Sequence, residues 1–318
     1  MKRFTLWNSY VAITESKEFV DWNKTKIIGS FKCPAFSYRS STQIKADPFL
    51  FEYNNAIYLF YEEKYKNGKG YIVCTWTSDL KNWSQPVVVL KEPFHLSFPY
   101  VFKINDKIYM LPESNESNEL RLYECVDFPY KWKLNKIIFD NGKYVDSSII
   151  CKGDIYYLFT THKTENSFYH ELYYCNDLLS DKWIKHPQSP ISNNPKFARN
   201  GGSVFSHNNN LFRPAQDCSV SYGNNLSIFN VTHLSIDKYE ETLVATNFFP
   251  KYKFKHGGHH FSHIEYKGQN IIAFDKKSRE NFYENNKEGK LKNLLDNFYY
   301  KEDIDSIVNE IAKLLNCG

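Results

Sequence analysis

Apolar and polar residues alternate along the chain in a pattern that recurs five times. Each repeat is an apolar run, a two-residue turn and a second apolar run, as in DPFLFEYNNAIYLFYEE and FPYVFKINDKIYMLPES. The repeats begin at residues 47, 98, 146, 201 and 260, a spacing of 48 to 59 residues. Apolar runs joined by Asn-Asn, Asn-Asp or Gly-Asp are typical of β-hairpins, and a repeat of this length is typical of a β-propeller.

The outer strands of each blade follow from a second regularity. After four of the hairpins a third strand-like run leads to a turn that ends in an aromatic residue: Trp83, Trp132, Trp183 and Tyr239. The fifth hairpin has no such run, but ITESKEFVDW, ending at Trp22, precedes the first hairpin. Pairing of the N-terminal segment with the last hairpin would remove exposed sheet edges. We therefore predict an all-β fold, a five-bladed β-propeller over residues 1–278 that the N-terminal segment closes.

The pattern changes beyond residue 278. Apolar residues in 302–315 recur at helical spacing, which predicts an amphipathic helix. We assign residues 279–318 to a short helical C-terminal tail that docks on the propeller or makes a dimer contact.

Composition and charge exclude several function classes. The formal net charge of +4 is spread over 318 residues without a long basic run, so nucleic acid is not an expected partner. Charged residues interrupt the first 30 positions, and no apolar stretch approaches the roughly 20 residues of a membrane span. The seven cysteines include no C-x-x-C pair, so we interpret them as reduced core residues and expect a cytoplasmic protein of undetermined oligomeric state.

Hairpin geometry places acidic residues together. In a hairpin with a two-residue turn, the residue numbers of two facing residues always add up to the same value. This rule pairs Asp47 with Glu62, Phe98 with Glu113, Asp146 with Thr161, Gly201 with Gln216, and His260 with Asp275. All five pairs lie at the open ends of the innermost hairpins. Strands disfavour carboxylates, and crowded like charges raise one another's pKa. The pattern therefore predicts a functional pocket at one mouth of a central funnel, in preference to solvated strand ends.

The fourth repeat adds polar groups at the same rim. The expected substrate-binding residues there are Arg199, Asn200, Arg213, Gln216, Asp217 and Tyr222. Gly201 and Gly202 either leave room for a ligand or form a packing bulge.

Histidines cluster at the start of the fifth repeat. On a strand His259 and His260 would point to opposite faces, so we interpret both as ligand-contacting or hydrogen-bonding residues and predict neither a metal site nor a cofactor.

At these motifs the chain resembles a known family. The runs ADPFLFEYNNAIYLFYEE, HLSFPYVFKINDKIYMLPES, ARNGGSVF and RPAQDCSVSYG resemble the N-terminal propeller region of plant glucosamine inositolphosphorylceramide transferases and its free-standing microbial relatives, from about residue 40 to 275. More distantly, the Asp-Pro at residue 47 is similar to the start of five-bladed glycoside hydrolases of the family 43 type. That resemblance implies Asp47 as general base, Asp146 as a second, orienting carboxylate and Glu113 as the acid.

Paired carboxylates serve glycosyl chemistry, because one protonates the leaving oxygen while another activates the acceptor. Arginines that can hold a phosphate, together with the resemblance, favour a glycosyltransferase-type enzyme of glycan or glycolipid biosynthesis that takes a sugar-phosphate or nucleotide-sugar ligand. The alternatives are a glycoside hydrolase or phosphorylase, and a non-catalytic glycan-binding propeller.

Overall fold

A computed structural model describes residues 2–15, 20–33 and 42–282. Within these ranges the helical segments are two short 3-10 helices, Trp22–Lys24 and Asn115–Ser117. No described helix is long and apolar enough to cross a membrane. The predicted C-terminal helix lies outside the described residues. The fold is all-β, as predicted.

The strands of the first half of the chain range from 4 to 13 residues in length. They are β1 (Lys2–Thr14), β2 (Thr25–Phe31), β3 (Thr42–Tyr53), β4 (Ala56–Tyr65), β5 (Tyr71–Thr77), β6 (Val87–Leu90), β7 (Ser97–Ile104), β8 (Lys107–Glu113), β9 (Leu120–Asp127) and β10 (Lys131–Phe139).

The second half continues in the same way, with shorter pieces around residue 200. Its strands are β11 (Tyr144–Lys152), β12 (Ile155–Lys163), β13 (Phe168–Cys175), β14 (Ile184–Lys185), β15 (Arg199–Asn200), β16 (Phe205–His207), β17 (Asn210–Asp217), β18 (Asn225–Leu234), β19 (Tyr239–Ala245), β20 (Phe261–Tyr266) and β21 (Gln269–Phe282).

Antiparallel pairing groups these strands into five units. Units one to three are β3–β6, β7–β10 and β11–β14, and unit four is β15 and β16 with β17–β19. The last hairpin, β20–β21, pairs with β1, which pairs with β2 to form unit five. One parallel bridge, Trp7 to Ile44, links units five and one. The predicted pairing of the N-terminal segment with the last hairpin is confirmed.

The predicted two-residue turns are also confirmed. Asn54 and Asn55 have φ of 48° and 59°, and Asn208 and Asn209 have 48° and 61°. Asparagine tolerates this left-handed conformation, which the twist of a tight hairpin requires.

Apolar side chains fill the spaces between units. One cluster joins units one and two through Phe60 and Met110, and others join two with three and three with four. A fourth cluster contains Ile228 and Phe274, and a fifth contains Val11 and Leu59, so these two clusters connect unit five to units four and one. The core is therefore divided among the inter-unit spaces.

The cysteines of the described residues differ in burial. Cys33, Cys74 and Cys175 are buried, whereas Cys151 is exposed, so the expected core position holds for only some of them.

Candidate functional site

Three equivalent bulges shape the open ends of the inner hairpins. In unit one, Ala46 pairs with Glu62 and the next pair is Phe49 with Phe60, so residues 47 and 48 face a single residue. Units two and three repeat this arrangement at residues 98–99 and 146–147. The bulged residues Asp47, Phe98 and Asp146 have φ of 52°, 46° and 50°. A bulge of this kind redirects a side chain at the end of a strand.

At the open ends, the observed strand pairing differs from the predicted register by one or two residues. Glu62, Glu113 and Thr161 pair with the residues that precede the predicted partners, namely Ala46, Ser97 and Val145. In unit four Gln216 pairs with Arg199. The bulge inserts its extra residue at the open end of the hairpin. The predicted partners are therefore correct near each turn and are shifted at the open end, where the site lies.

Despite this shift, the carboxylates meet. Arg199 joins two of them: its Nε donates to Asp146 Oδ2 and its Nη2 lies 3.6 Å from Glu113 Oε2. Gln216 Nε2 donates to the same Asp146 oxygen (3.1 Å), and Asn200 Nδ2 donates to the Asp146 carbonyl (2.7 Å). Asp146 is thus held through its side chain by Arg199 and Gln216 and through its backbone carbonyl by Asn200.

Asp47 lies between this group and the histidines. Its Oδ2 accepts the backbone N–H of Phe98 (3.1 Å), and its Oδ1 lies 3.9 Å from His259 Nδ1 and 3.7 Å from His260 Nδ1. Asp275 Oδ2 lies 2.5 Å from His259 Nδ1. His259 and His260 precede β20 in an irregular segment, so the alternation expected of a strand does not apply to them. Their backbone N–H groups both donate to Asp275 Oδ1.

Burial gives these groups unusual proton affinities. Desolvation, with Asp146 nearby, raises the pKa of Glu113 to about 8. Desolvation also raises the pKa of Asp47 to about 7, against the opposing charge of His259. Burial opposes the charge on His259, yet Asp275 raises its pKa, and His259 lowers that of Asp275. Both carboxyls therefore hold a proton more readily than a carboxyl in water does, which suits proton exchange with a bound substrate.

Glu62 lies near the same cluster with a different partner. Its Oε1 is 3.3 Å from His95 Nε2, and His95 Nδ1 accepts the backbone N–H of Gly70 (2.9 Å). Desolvation and Asp47 raise the pKa of Glu62, and desolvation lowers that of His95 to about 4.

Aromatic residues border the cluster. Tyr222 is 47% exposed as a residue, and its ring lies 5.1 Å from the Arg199 guanidinium and meets His259 edge-on. Trp7 stacks on His259 with ring centroids 4.1 Å apart, while Phe98 is buried against His260. Aromatic side chains beside a few convergent polar groups are typical of small-molecule binding sites.

Two residues expected at the rim have other roles in the structure. Arg213 is fully buried and donates through Nε and Nη2 to Glu241, away from the cluster, because its side chain lies under the outer strand β19. Asp217 accepts the N–H and hydroxyl of Ser219 in the following turn.

Gly201 and Gly202 make room for the chain itself. A Cβ on Gly202, at φ +149°, would lie 2.0 Å from the Phe261 carbonyl oxygen, and one on Gly201 would lie 2.4 Å from Leu226. The structure thus favours the packing bulge over close approach of a ligand.

The sequence pattern did not identify three residues near the site: Trp7, His95 and Asn115. The Asn115 side chain donates to Glu113 Oε1. All three lie outside the repeated hairpin segments, and no local pattern marks them.

Among the described residues, one trio of side chains could hold a metal ion. The ligand atoms of Asp47, His259 and Asp275 all lie within 4.8 Å of one another, and all three residues are buried. The short His259–Asp275 contact already satisfies two of these ligands as an ion pair.

Solved structures define the class of fold. The chain is similar to a family 117 glycoside hydrolase of Zobellia galactanivorans (11% identity, TM-score 0.51, 86% of this chain and 90% of that one). It is also similar to an alpha-L-arabinofuranosidase of Clostridium thermocellum (16%, TM-score 0.52, 74% and 82%) and to a family 43 protein of Bacillus licheniformis (16%, TM-score 0.53, 76% and 54%). These likenesses place the fold in the β-propeller class.

Sequence comparisons give the family. The model for the N-terminal region of glucosamine inositolphosphorylceramide transferase 1 matches residues 28–303, and the chain belongs to that family. It is 36% identical over 214 residues to the Oryza sativa subsp. japonica glucosamine inositolphosphorylceramide transferase 1, covering 63% of this chain and 28% of the relative. The Arabidopsis thaliana protein is 37% identical over 207 residues, covering 63% and 27%. The matched segment is less than a third of each relative's length. The predicted resemblance is confirmed.

Proposed function

We propose that this protein is a glycosyltransferase-type enzyme of glycan or glycolipid biosynthesis that takes a sugar-phosphate or nucleotide-sugar donor. The observation that carries the proposal is one buried cluster in which Arg199 lies between Glu113 and Asp146, and in which the charges of Arg199 and Asp146 also act on Asp47. The family membership supports a carbohydrate ligand.

The site is part of a closed five-bladed ring in this proposal. The five apolar clusters support closure, since they join units one to two, two to three, three to four, four to five and five to one. Such a ring brings the open ends of the five inner hairpins around one funnel.

Each carboxylate has a distinct role in the reaction. The acceptor oxygen attacks the anomeric carbon and passes its proton to Asp47, while the bond to the donor's leaving oxygen breaks and that oxygen is stabilised or protonated by Glu113. The raised pKa of Glu113, about 8, keeps it protonated at neutral pH. Asp146 orients Arg199, whose charge also favours a phosphate-bearing leaving group.

The decisive test measures turnover. The whole chain and its Asp47→Asn, Glu113→Gln and Asp146→Asn variants are incubated with nucleotide sugars, sugar 1-phosphates and oligosaccharides, and both transfer and hydrolysis are followed. Each variant should lose about 100-fold or more in rate. Glu265→Gln, which removes an exposed carboxylate from β20, serves as the matched control and should retain full activity.

Four outcomes are informative. Transfer that the variants abolish supports the proposal. Hydrolysis without transfer would make the protein a hydrolase, and binding without any turnover in the wild type would make it a binding module. Equal rates in all variants would remove these carboxylates from the mechanism.

A further inference from the structure

A second cavity lies away from the carboxylate cluster, between the N-terminal strands and the segment that precedes β20. Its volume is about 170 Å³. Four aromatic residues, two lysines, one threonine and one isoleucine line it: Tyr10, Trp22, Phe254, Phe274, Lys253, Lys276, Thr25 and Ile27. None of these residues is a carboxylate, and none belongs to the candidate catalytic site.

Both lysines are held in place by neighbouring groups. The Lys276 ammonium lies 5.6 Å from the Tyr10 ring centroid and 5.2 Å from that of Phe254. Lys253 Nζ donates to the Trp22 carbonyl. Contacts of this kind fix the ammonium groups at the cavity without neutralising their charge.

The positive charge has no acidic partner within the described ranges. No described carboxylate lies within 4.0 Å of the ammonium group of Lys253 or Lys276. Burial, with the charges of Lys253 and Lys32, lowers the pKa of Lys276. Partly buried like charges repel one another, and an anion bound between them removes that cost.

We propose that this aromatic–lysine cavity binds a phosphate group of a ligand. Two ammonium groups act as point charges on a divalent anion, for which lysine is well suited, and the aromatic walls accept the apolar part of the molecule that carries the phosphate. The source is either a soluble phosphate ester or the headgroup of a phospholipid, both of which present the same chemistry.

Binding is measured on the whole chain by calorimetry with inorganic phosphate and with glycerol 3-phosphate. Lys276→Gln and Lys253→Gln should each weaken binding about tenfold, and raising the salt concentration should weaken it further. Lys276→Arg keeps the charge and should keep most of the affinity. The matched control is Lys267→Gln, which removes an exposed lysine that also lies over a tyrosine ring, 4.7 Å from Tyr266.

The two sources are separated with vesicles of phosphatidylcholine, with and without phosphatidic acid. Co-sedimentation that requires phosphatidic acid and is lost in Lys276→Gln identifies a lipid headgroup; binding of glycerol 3-phosphate alone identifies a soluble ester. Arg199→Gln, which removes the cation of the carboxylate cluster, should leave either signal intact, and this distinguishes the cavity from a phosphate site at that cluster. The proposal is overturned if the folded wild type binds none of these probes, or if both Gln variants bind as tightly as the wild type.

Discussion

Asp47 and Asp146 occupy a backbone conformation that most residues avoid. Their φ values of 52° and 50° lie in the left-handed region, where Asp is enriched but a bulky residue is rare. Phe98 takes the same conformation in unit two and is buried against Phe49 and His260. Strain of this kind is on the order of 1–3 kcal/mol per residue and persists where the surroundings over-determine it. The same backbone position therefore carries a carboxylate in two units and a packing residue in the third.

Buried carboxyls make the stability of the protein depend on pH. The pKa values of Asp47 and Glu113 rise in the folded state to about 7 and about 8, so the folded state binds more protons than the unfolded chain. Their contribution is fully present below their unfolded pKa values and is lost as the pH rises through 7 and 8. We expect the melting temperature to fall between about pH 6 and pH 9.

Removing one of these two carboxyl groups should make the stability of the protein less dependent on pH. Glu113→Gln should raise the free energy of unfolding at alkaline pH by on the order of 1 kcal/mol, and Glu165→Gln, an exposed control, should not. Urea titrations at several pH values measure this. A wild-type melting temperature that rises steadily toward pH 9 would contradict the raised pKa values.

At the scale of elements, the site depends on close packing of unit four against unit five. The backbone N–H of Phe261 donates to the Gly201 carbonyl (2.7 Å), and Gly202 lies directly against the Phe261 carbonyl. Phe261, which makes this contact, is the first residue of β20 and directly follows His259 and His260 in the chain. The two glycines therefore position the histidines that face Asp47.

A Cβ at this contact should be costly. Gly202→Ala adds an atom 2.0 Å from the Phe261 carbonyl at a φ of +149°, so we expect a loss of about 3 kcal/mol or more in the free energy of unfolding. Gly153→Ala is the matched control: its φ is +61°, and nothing lies within 4 Å of the added Cβ. Only the conformational cost of about 1–2 kcal/mol should remain there. Equal losses in both variants by urea denaturation would show that the close contact is unimportant.

At the scale of the whole molecule, unit five is assembled from both ends of the described chain. β1 pairs with β21 from Lys2 opposite Phe282 to Thr14 opposite Asn270, and it also places Trp7 on His259. Without the N-terminal segment, β21 would expose an unpaired edge, and the apolar side chains that face β1 would meet water.

Deleting residues 1–33 should therefore abolish the cooperative thermal transition, and adding residues 2–33 as a separate peptide should restore part of it. Circular dichroism and calorimetry follow both. A truncated protein that melts as the whole chain does would show that the N-terminal strands are dispensable for the fold.

The amino-acid sequence alone determined the five hairpins, their turns and the partner of the N-terminal segment, because apolar alternation and turn residues act over a few positions and each unit repeats them. It also identified most of the clustered residues, since Asp47, Glu113, Asp146 and Arg199 occupy equivalent ends of the repeats. Only the tertiary structure decided the bulges, the commitment of Arg213 to Glu241 and the position of Trp7 on His259. These features depend on contacts between residues far apart in the chain, whose free energies no local pattern encodes.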